Sequence, residues 1–379
     1  MSTKKRTVDR LPLAEEGERP LTPFELAQLR PSLGTGEPPP AMVELANHKR
    51  IHVIADGSPP EPVVRRMDEA GENMWRVDVH VGPEGDVALP GRTATRSLPE
   101  ELLSEIDPNV DLCACRPEWL DMFYVPRLLP SRREEPIRRL RGGLIQPEAV
   151  FPPEGRSDLA ETSFPWGNVG KIVNNEGNHG SGALVGDRLV LTAGHVVPWQ
   201  SEEWWMRFVP AYYNGQSLHG AGVRSYVSDV QGYNPDLSGG ESAGYDWAIC
   251  RLYEPLGTVD RLGHFGTKTY NPAWNGQGFW NNMGYPINMW FLGASLQGFI
   301  AVEDTDDDIN GGLEIEHYGD TTKGNSGGPL FAFFGEGQPR ITAVQSGYQA
   351  EDEDMGPINV AAGGPGMSRL VAWGRTNWP

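Results

Sequence analysis

Gly319-Asp-Thr-Thr-Lys-Gly-Asn-Ser326-Gly-Gly-Pro-Leu330 sets a serine among glycines at positions 324, 327 and 328. Glycine reaches backbone angles closed to other residues, so such a turn can aim two N–H groups, those of Gly324 and Ser326, at one point. A serine so flanked has little structural reason to occur. Two further contexts stand upstream, Leu191-Thr-Ala-Gly-His195-Val-Val and Tyr245-Asp246-Trp-Ala-Ile-Cys, with 51 residues from His195 to Asp246 and 80 from Asp246 to Ser326. A serine hydroxyl is a poor nucleophile at neutral pH and needs an imidazole to take its proton. The imidazole in turn needs a buried carboxylate to fix its tautomer and stabilise its positive charge. His195, Asp246 and Ser326 supply these three groups, and Gly324 and Ser326 supply donors for the oxygen on which negative charge develops.

From about Phe151 onward the chain resembles the trypsin-like serine peptidases of the chymotrypsin fold, more narrowly their glutamyl-endopeptidase-like branch. Besides the three contexts above, the resemblance rests on Glu154-Gly-Arg-Ser-Asp-Leu-Ala-Glu-Thr-Ser-Phe-Pro-Trp166, Phe208-Val-Pro-Ala-Tyr-Tyr-Asn-Gly215, Gly284-Tyr-Pro286 and Asn359-Val-Ala-Ala-Gly-Gly364. It implies an all-β peptidase domain of two antiparallel six-stranded β-barrels over residues 146–379, with His195 and Asp246 on the first barrel and Ser326 on the second. The implied activity is hydrolysis of peptide bonds through an acyl-enzyme. A protein or peptide is the implied substrate, and no cofactor is needed. The alternative is a catalytically inactive peptidase fold used for binding or scaffolding.

Composition agrees with this division. The chain has 379 residues, more than a double-barrel peptidase uses. Its 47 Gly and 33 Pro favour short strands and turns, while 12 Trp, 12 Phe and 11 Tyr suffice for a sizeable core. Residues 1–145 resemble no family and are expected to form a prosegment or regulatory region, small α+β or partly disordered. Its first 45 residues are polar, and Glu37-Pro-Pro-Pro40 resists both helix and central strand. Between His52 and Leu89 the alternation predicts two or three strands, and helix-like spacing appears at Leu98–Leu103 and Pro117–Phe123. Ser131-Arg-Arg-Glu-Glu-Pro-Ile-Arg-Arg-Leu-Arg141-Gly-Gly holds five arginines and suits an exposed connector, cleavable between Arg133 and Glu154. The front region would then restrain the peptidase intramolecularly; the plainer reading is a solvated linker.

The trypsin members order their oxyanion turn by pairing a newly cut amino terminus with an aspartate just before the serine. Asn325 stands there instead, so no such salt bridge can form. Candidate pocket residues are Asp320, Gln345, Ser346 and Tyr348. Asp320, six residues before Ser326, has the spacing at which trypsin-like members place the carboxylate that selects Lys or Arg. The branch's preference for acidic residues relies on a histidine that Gln345 replaces, and a neutral amide hydrogen-bonds without supplying positive charge. Tyr348 is expected to narrow the pocket mouth.

Charge and cysteine usage set outer limits. Residues from 161 onward carry 11 basic against 24 acidic side chains, so −13 of the net −19 lies in the peptidase part and argues against nucleic acid as partner. The run Glu351-Asp-Glu-Asp354 beside the expected groove would favour basic groups on a substrate, unless it only aids solubility. Asp304-Thr-Asp-Asp-Asp-Ile-Asn310 lacks the glycine and final glutamate of a calcium loop. His179, His219, His264 and His317 show no metal-ligand spacing, so no metal is expected. Cys250 reads as a small core residue, and Cys113 and Cys115 lack a second pair for zinc. Met1-Ser-Thr-Lys-Lys-Arg is followed by no apolar run, so no signal peptide is read, and no stretch is apolar enough to span a membrane. The expectation is a cytoplasmic or non-classically secreted protein, although the resembling family is commonly secreted.

Overall fold

A computed structural model describes residues 19–47, 49–56, 67–71, 74–81, 88–98, 104–129, 150–151, 154–233, 244–287, 293–349 and 357–378. The arginine-rich stretch 131–143, the acidic run 351–354 and residues 99–103 lie outside these.

The front region opens with α1 (Pro23–Gln28), started by a reciprocal cap. Thr22 Oγ1 accepts the Glu25 N–H at 3.2 Å and the Glu25 carboxylate accepts the Thr22 N–H at 2.7 Å. Arg19 grips the same carboxylate with two donors and, together with the Thr22 amide, holds its pKa down at about 2. α2 spans Pro40–Asn47. The proline run was expected to exclude helix, yet Pro40 is the first helical residue, a position whose N–H has no intrahelical partner in any case. β1 (Lys49–Asp56), β2 (Met67–Gly71) and β3 (Met74–Val81) form an antiparallel sheet in the order β1-β3-β2, largely within the span His52–Leu89 where strands were expected, with β1 starting three residues earlier. β4 (Thr93–Thr95) and β5 (Asp111–Leu112) are short. The helix predicted at Pro117–Phe123 is instead an irregular stretch. Met122 exchanges backbone hydrogen bonds of 2.8 and 3.2 Å with Ser32, and Asp121 O accepts from Phe164 N at 2.8 Å, so the groups a helix would use are taken by neighbouring segments.

Two closed barrels follow. β6 (Ser157–Leu159) precedes β7 (Val169–Asn174), β8 (His179–Gly186), β9 (Leu189–Thr192) and β10 (Met206–Pro210). After the small hairpin β11 (Tyr212–Tyr213) and β12 (Gln216–Ser217) come β13 (Ser225–Gly232) and β14 (Ala248–Leu252). The order β10-β7-β8-β9-β14-β13 returns from β13 to β10, an antiparallel barrel of six strands. β15 (Gly266–Lys268), β16 (Gly278–Gly284), β17 (Ala294–Asp308), β18 (Gly312–His317), β19 (Pro329–Phe334), β20 (Gln338–Gln349) and β21 (Ile358–Gly363) build the second. Its order β19-β16-β17-β18-β21-β20 closes through β19 and β20. The all-β, double six-stranded expectation therefore holds.

The consecutive apolar residues of β9 and β14 are covered on both faces, by the barrel interior and by the C-terminal helix α3 (Pro365–Asn377), whose Leu370 and Val371 are buried in the same cluster. Cys250 is wholly buried there, and desolvation pushes its thiol up to about 12, as befits a core residue. The second barrel has its own aromatic cluster, with Trp274 edge-on to Tyr270 and to Phe334 at 5.5 Å each. No helix among the described residues is long and apolar enough to cross a membrane.

Candidate active site

His195 lies in the 3₁₀ turn Gly194–Val196 that ends β9. Asp246, just ahead of β14, reaches it twice. Its Oδ2 is 2.6 Å from His195 Nδ1, and its Oδ1 accepts the His195 backbone N–H at 2.9 Å. Ser346 Oγ adds a third donor to Oδ2 at 2.6 Å, and Asp246 is fully buried. Burial alone would raise the carboxyl's pKa; the charge of His195 and these hydrogen bonds outweigh it and hold the group below the usual carboxylate range. An ionised Asp246 fixes the proton on Nδ1 and leaves Nε2 as the basic nitrogen. The imidazole is 29% exposed, open enough to meet a substrate. Trp199 Nε1 braces the loop by donating to Gly194 O at 2.7 Å.

The serine turn is shaped by glycine. Gly324 has φ +102° and Gly327 φ +80°, and a side chain at either would collide: a Cβ on Gly324 would lie 2.5 Å from Tyr285 O, one on Gly327 2.2 Å from Thr192 Oγ1. That second contact brings the turn against the end of β9, three residues before His195. Neighbouring elements grip the turn. Ser181 on β8 donates its N–H to Ser326 O at 2.8 Å and its Oγ to Gly324 O at 2.7 Å. Gly327 N donates to Gln345 O at 2.7 Å, and the next residue along β20 is the Ser346 that binds Asp246. Base, carboxylate and serine turn thus converge where β9, β14 and β20 meet. The Gly324 N–H has no hydrogen-bond partner among the described residues, as suits a donor reserved for a substrate oxygen.

The pocket candidates Asp320, Gln345 and Ser346 each hold hydrogen-bond partners within the protein. Both oxygens of Asp320 are taken by backbone donors, Oδ1 by Phe151 N at 2.6 Å and Oδ2 by Gly155 N at 2.5 Å. A lysine or arginine guest would have to share them, and burial holds this carboxyl above its ordinary pKa. Gln345 was expected to offer its amide to a substrate, but it faces the barrel interior. Its Oε1 accepts from Asn282 Nδ2 at 3.0 Å and lies 3.1 Å from His317 Nε2, while its Nε2 donates to Gly347 O and Val360 O at 3.1 and 3.2 Å. All four amide positions are filled. His317 accepts the Gly319 N–H on Nδ1, and burial lowers its pKa to about 4, so a neutral ring donates to Gln345. Ser346, expected as a pocket residue, binds Asp246. Tyr348 is half-buried on β20 opposite Asn359, beyond the bulge at Gln345–Gly347.

Residues 180–337 match the trypsin-like peptidase domain. No curated protein matches the chain. Among solved structures, a Glu endopeptidase in complex with MPD is similar at 18% identity and TM-score 0.47, covering 60% of this chain and all of that one. A thermostable serine protease, AL20, from an extremophilic microorganism aligns at 21% identity and TM-score 0.42, covering 56% of this chain and 98% of its own. Protease Anisep from Arthrobacter nicotinovorans aligns at 22% and TM-score 0.37, covering 54% and 92%. The matched domain runs from β8 through β19 and takes in His195, Asp246 and Ser326 alike, so the double-barrel part of the chain carries a trypsin-like peptidase domain.

Proposed function

We propose that the protein is a serine endopeptidase. Ser326 Oγ attacks the scissile carbonyl while His195 Nε2 takes its proton; the tetrahedral oxyanion is met by the N–H groups of Gly324 and Ser326. His195 then protonates the leaving amine, and water, activated by the same imidazole, hydrolyses the acyl-enzyme. The carrying observation is the grip on Asp246, which takes both donors of His195 and a third from Ser346 while shut off from solvent. An inactive scaffold would have no use for an imidazole so fixed. The substrate would be a protein or peptide lying in the groove between the barrels, with residues 1–145 in a regulatory role.

A fluorophosphonate probe, which phosphonylates an activated serine, tests the assignment. The purified chain should take the label and Ser326→Ala should not; equal labelling of both would sink it. Cleavage of a peptide library then reads specificity. With Asp320 and Gln345 both occupied, neither a strict basic nor a strict acidic preference is expected.

A further inference from the structure

Arg156 lies in the leading segment of the peptidase domain, 170 residues before the nucleophile, yet its side chain is only 1% exposed. Its guanidinium faces two ways. Nε and Nη2 form a fork on the Glu154 carboxylate at 2.7 Å each. Nη1 turns toward the catalytic turn, donating to Thr322 Oγ1 at 2.8 Å and to Asn325 Oδ1 at 3.4 Å.

Asn325 is the residue immediately before Ser326, and its carboxamide is held on both sides. Oδ1 also accepts the Thr322 N–H at 3.3 Å, Nδ2 donates to Ser295 Oγ at 3.3 Å, and the Asn325 backbone N–H returns to Thr322 O at 2.9 Å. The two residues tied to Arg156 therefore bracket Lys323 and Gly324. The same leading segment is anchored a second time, where Asp320 accepts the Phe151 and Gly155 N–H groups. Phe151 and residues 154–156 are laid along residues 320–325, and among the described residues the guanidinium is the cationic stitch from this segment to the turn.

We propose that Arg156 is a positioning residue for the nucleophile turn, its guanidinium holding Thr322 and Asn325 so that the Gly324 and Ser326 N–H groups point at a common oxyanion. The inference rests on the serine-peptidase reading above. A turn with glycines at 324, 327 and 328 has many backbone states, and a buried planar donor fork selects one of them before substrate arrives. The group is internal to the chain, so the turn is ordered without a newly cut amino terminus.

The test is fluorophosphonate phosphonylation of the full chain, resolved into the limiting rate (kinact) and the half-saturation concentration (KI), for Arg156→Met, Arg156→Lys and Thr322→Val. Loss of oxyanion alignment lowers kinact, by roughly 10- to 100-fold in Arg156→Met, below the effect of removing a donor outright. KI should stay within about twofold, because Arg156 does not touch the probe. Arg156→Lys should recover part of the rate, since an ammonium reaches the turn but cannot also fork Glu154. Thr322→Val leaves the Arg156–Glu154 pair intact and should still slow kinact; if Arg156→Met does not fold, this variant decides. Wild-type kinact in Arg156→Met, or in Thr322→Val where the former is unfolded, overturns the proposal alone. A wild-type chain that takes no label overturns the peptidase reading beneath it.

Discussion

Gly324 is held at φ +102° with Tyr285 O and His179 Nε2 2.5 and 2.9 Å from where a Cβ would stand, so alanine there strains the backbone and strikes two neighbours at once. Relief requires the peptide to rotate, which turns the 324 N–H away from the oxyanion position. Gly324→Ala should therefore lower kcat roughly 100- to 1,000-fold, the cost of one oxyanion donor, with KM little changed; steady-state cleavage of any library-derived peptide checks it. An unchanged kcat would remove the 324 N–H from the site. At this scale the histidine, aspartate and serine of the proposed triad were readable in the sequence, because each sits in a local context that such chemistry demands. Their supports were not. Ser346 reaches Asp246 across 100 residues and Arg156 reaches Thr322 across 166, and no local pattern marks either partnership. The partners of Asp320 and Gln345 were illegible for the same reason: they come from Phe151, Gly155, Asn282 and His317, distant in the sequence.

The elements were mostly legible, since barrel strands are short runs between turn residues. The borrowed strands were not: β4 adds to β13 in parallel and β5 adds to β15, three and two residues long, too short for alternation to register. One element carries a charge problem of its own. On the β17–β18 ribbon, Glu314 is partly buried and faces Asp308, Glu316 and Asp306, and burial first, then those charges, raises its pKa to about 7 from the ordinary 4.5. A carboxyl with a raised folded pKa binds more protons folded than unfolded between those two values, so its contribution to stability falls as pH rises through that window. Glu314→Gln removes the charge while keeping an acceptor for Gln349 Nε2, which donates to Glu314 at 3.0 Å. Its Tm should exceed wild type at pH 8, by an amount on the order of 2 kcal/mol in stability, and the gap should shrink toward pH 4.5. Thermal melts at several pH values read it; a gap independent of pH would mean that Glu314 is not strained by its neighbours.

Across the whole molecule, the division at residue 145 is one of sequence, and the packing runs through it. Leu26, Met42, Leu45, Leu98, Leu120 and Met122 are each at most 6% exposed, in one cluster with Leu184, Phe331 and Phe333 of the barrels. Hydrogen bonds bind the front region to both barrels: Gln231 Nε2 donates to Ser97 O at 2.6 Å on the first, and Leu21 N donates to Phe333 O at 2.7 Å on the second. Arg96 also stacks over Trp199, whose indole braces Gly194 beside His195. Each buried apolar side chain contributes roughly 1.5–3 kcal/mol. Six of them are comparable with the roughly 5–15 kcal/mol that keeps an ordinary domain folded. A front region so attached is expected to stay with the barrels even if its connection is severed. Limited trypsin treatment that cuts among the arginines between 131 and 141 should thus give two fragments that co-elute on native size exclusion and separate only in denaturant. Residues 146–379 expressed alone should melt well below the full chain or aggregate. A lone 146–379 fragment with the Tm of the intact protein, or a front fragment that dissociates on cutting, would show instead that the first 145 residues are a detachable cover.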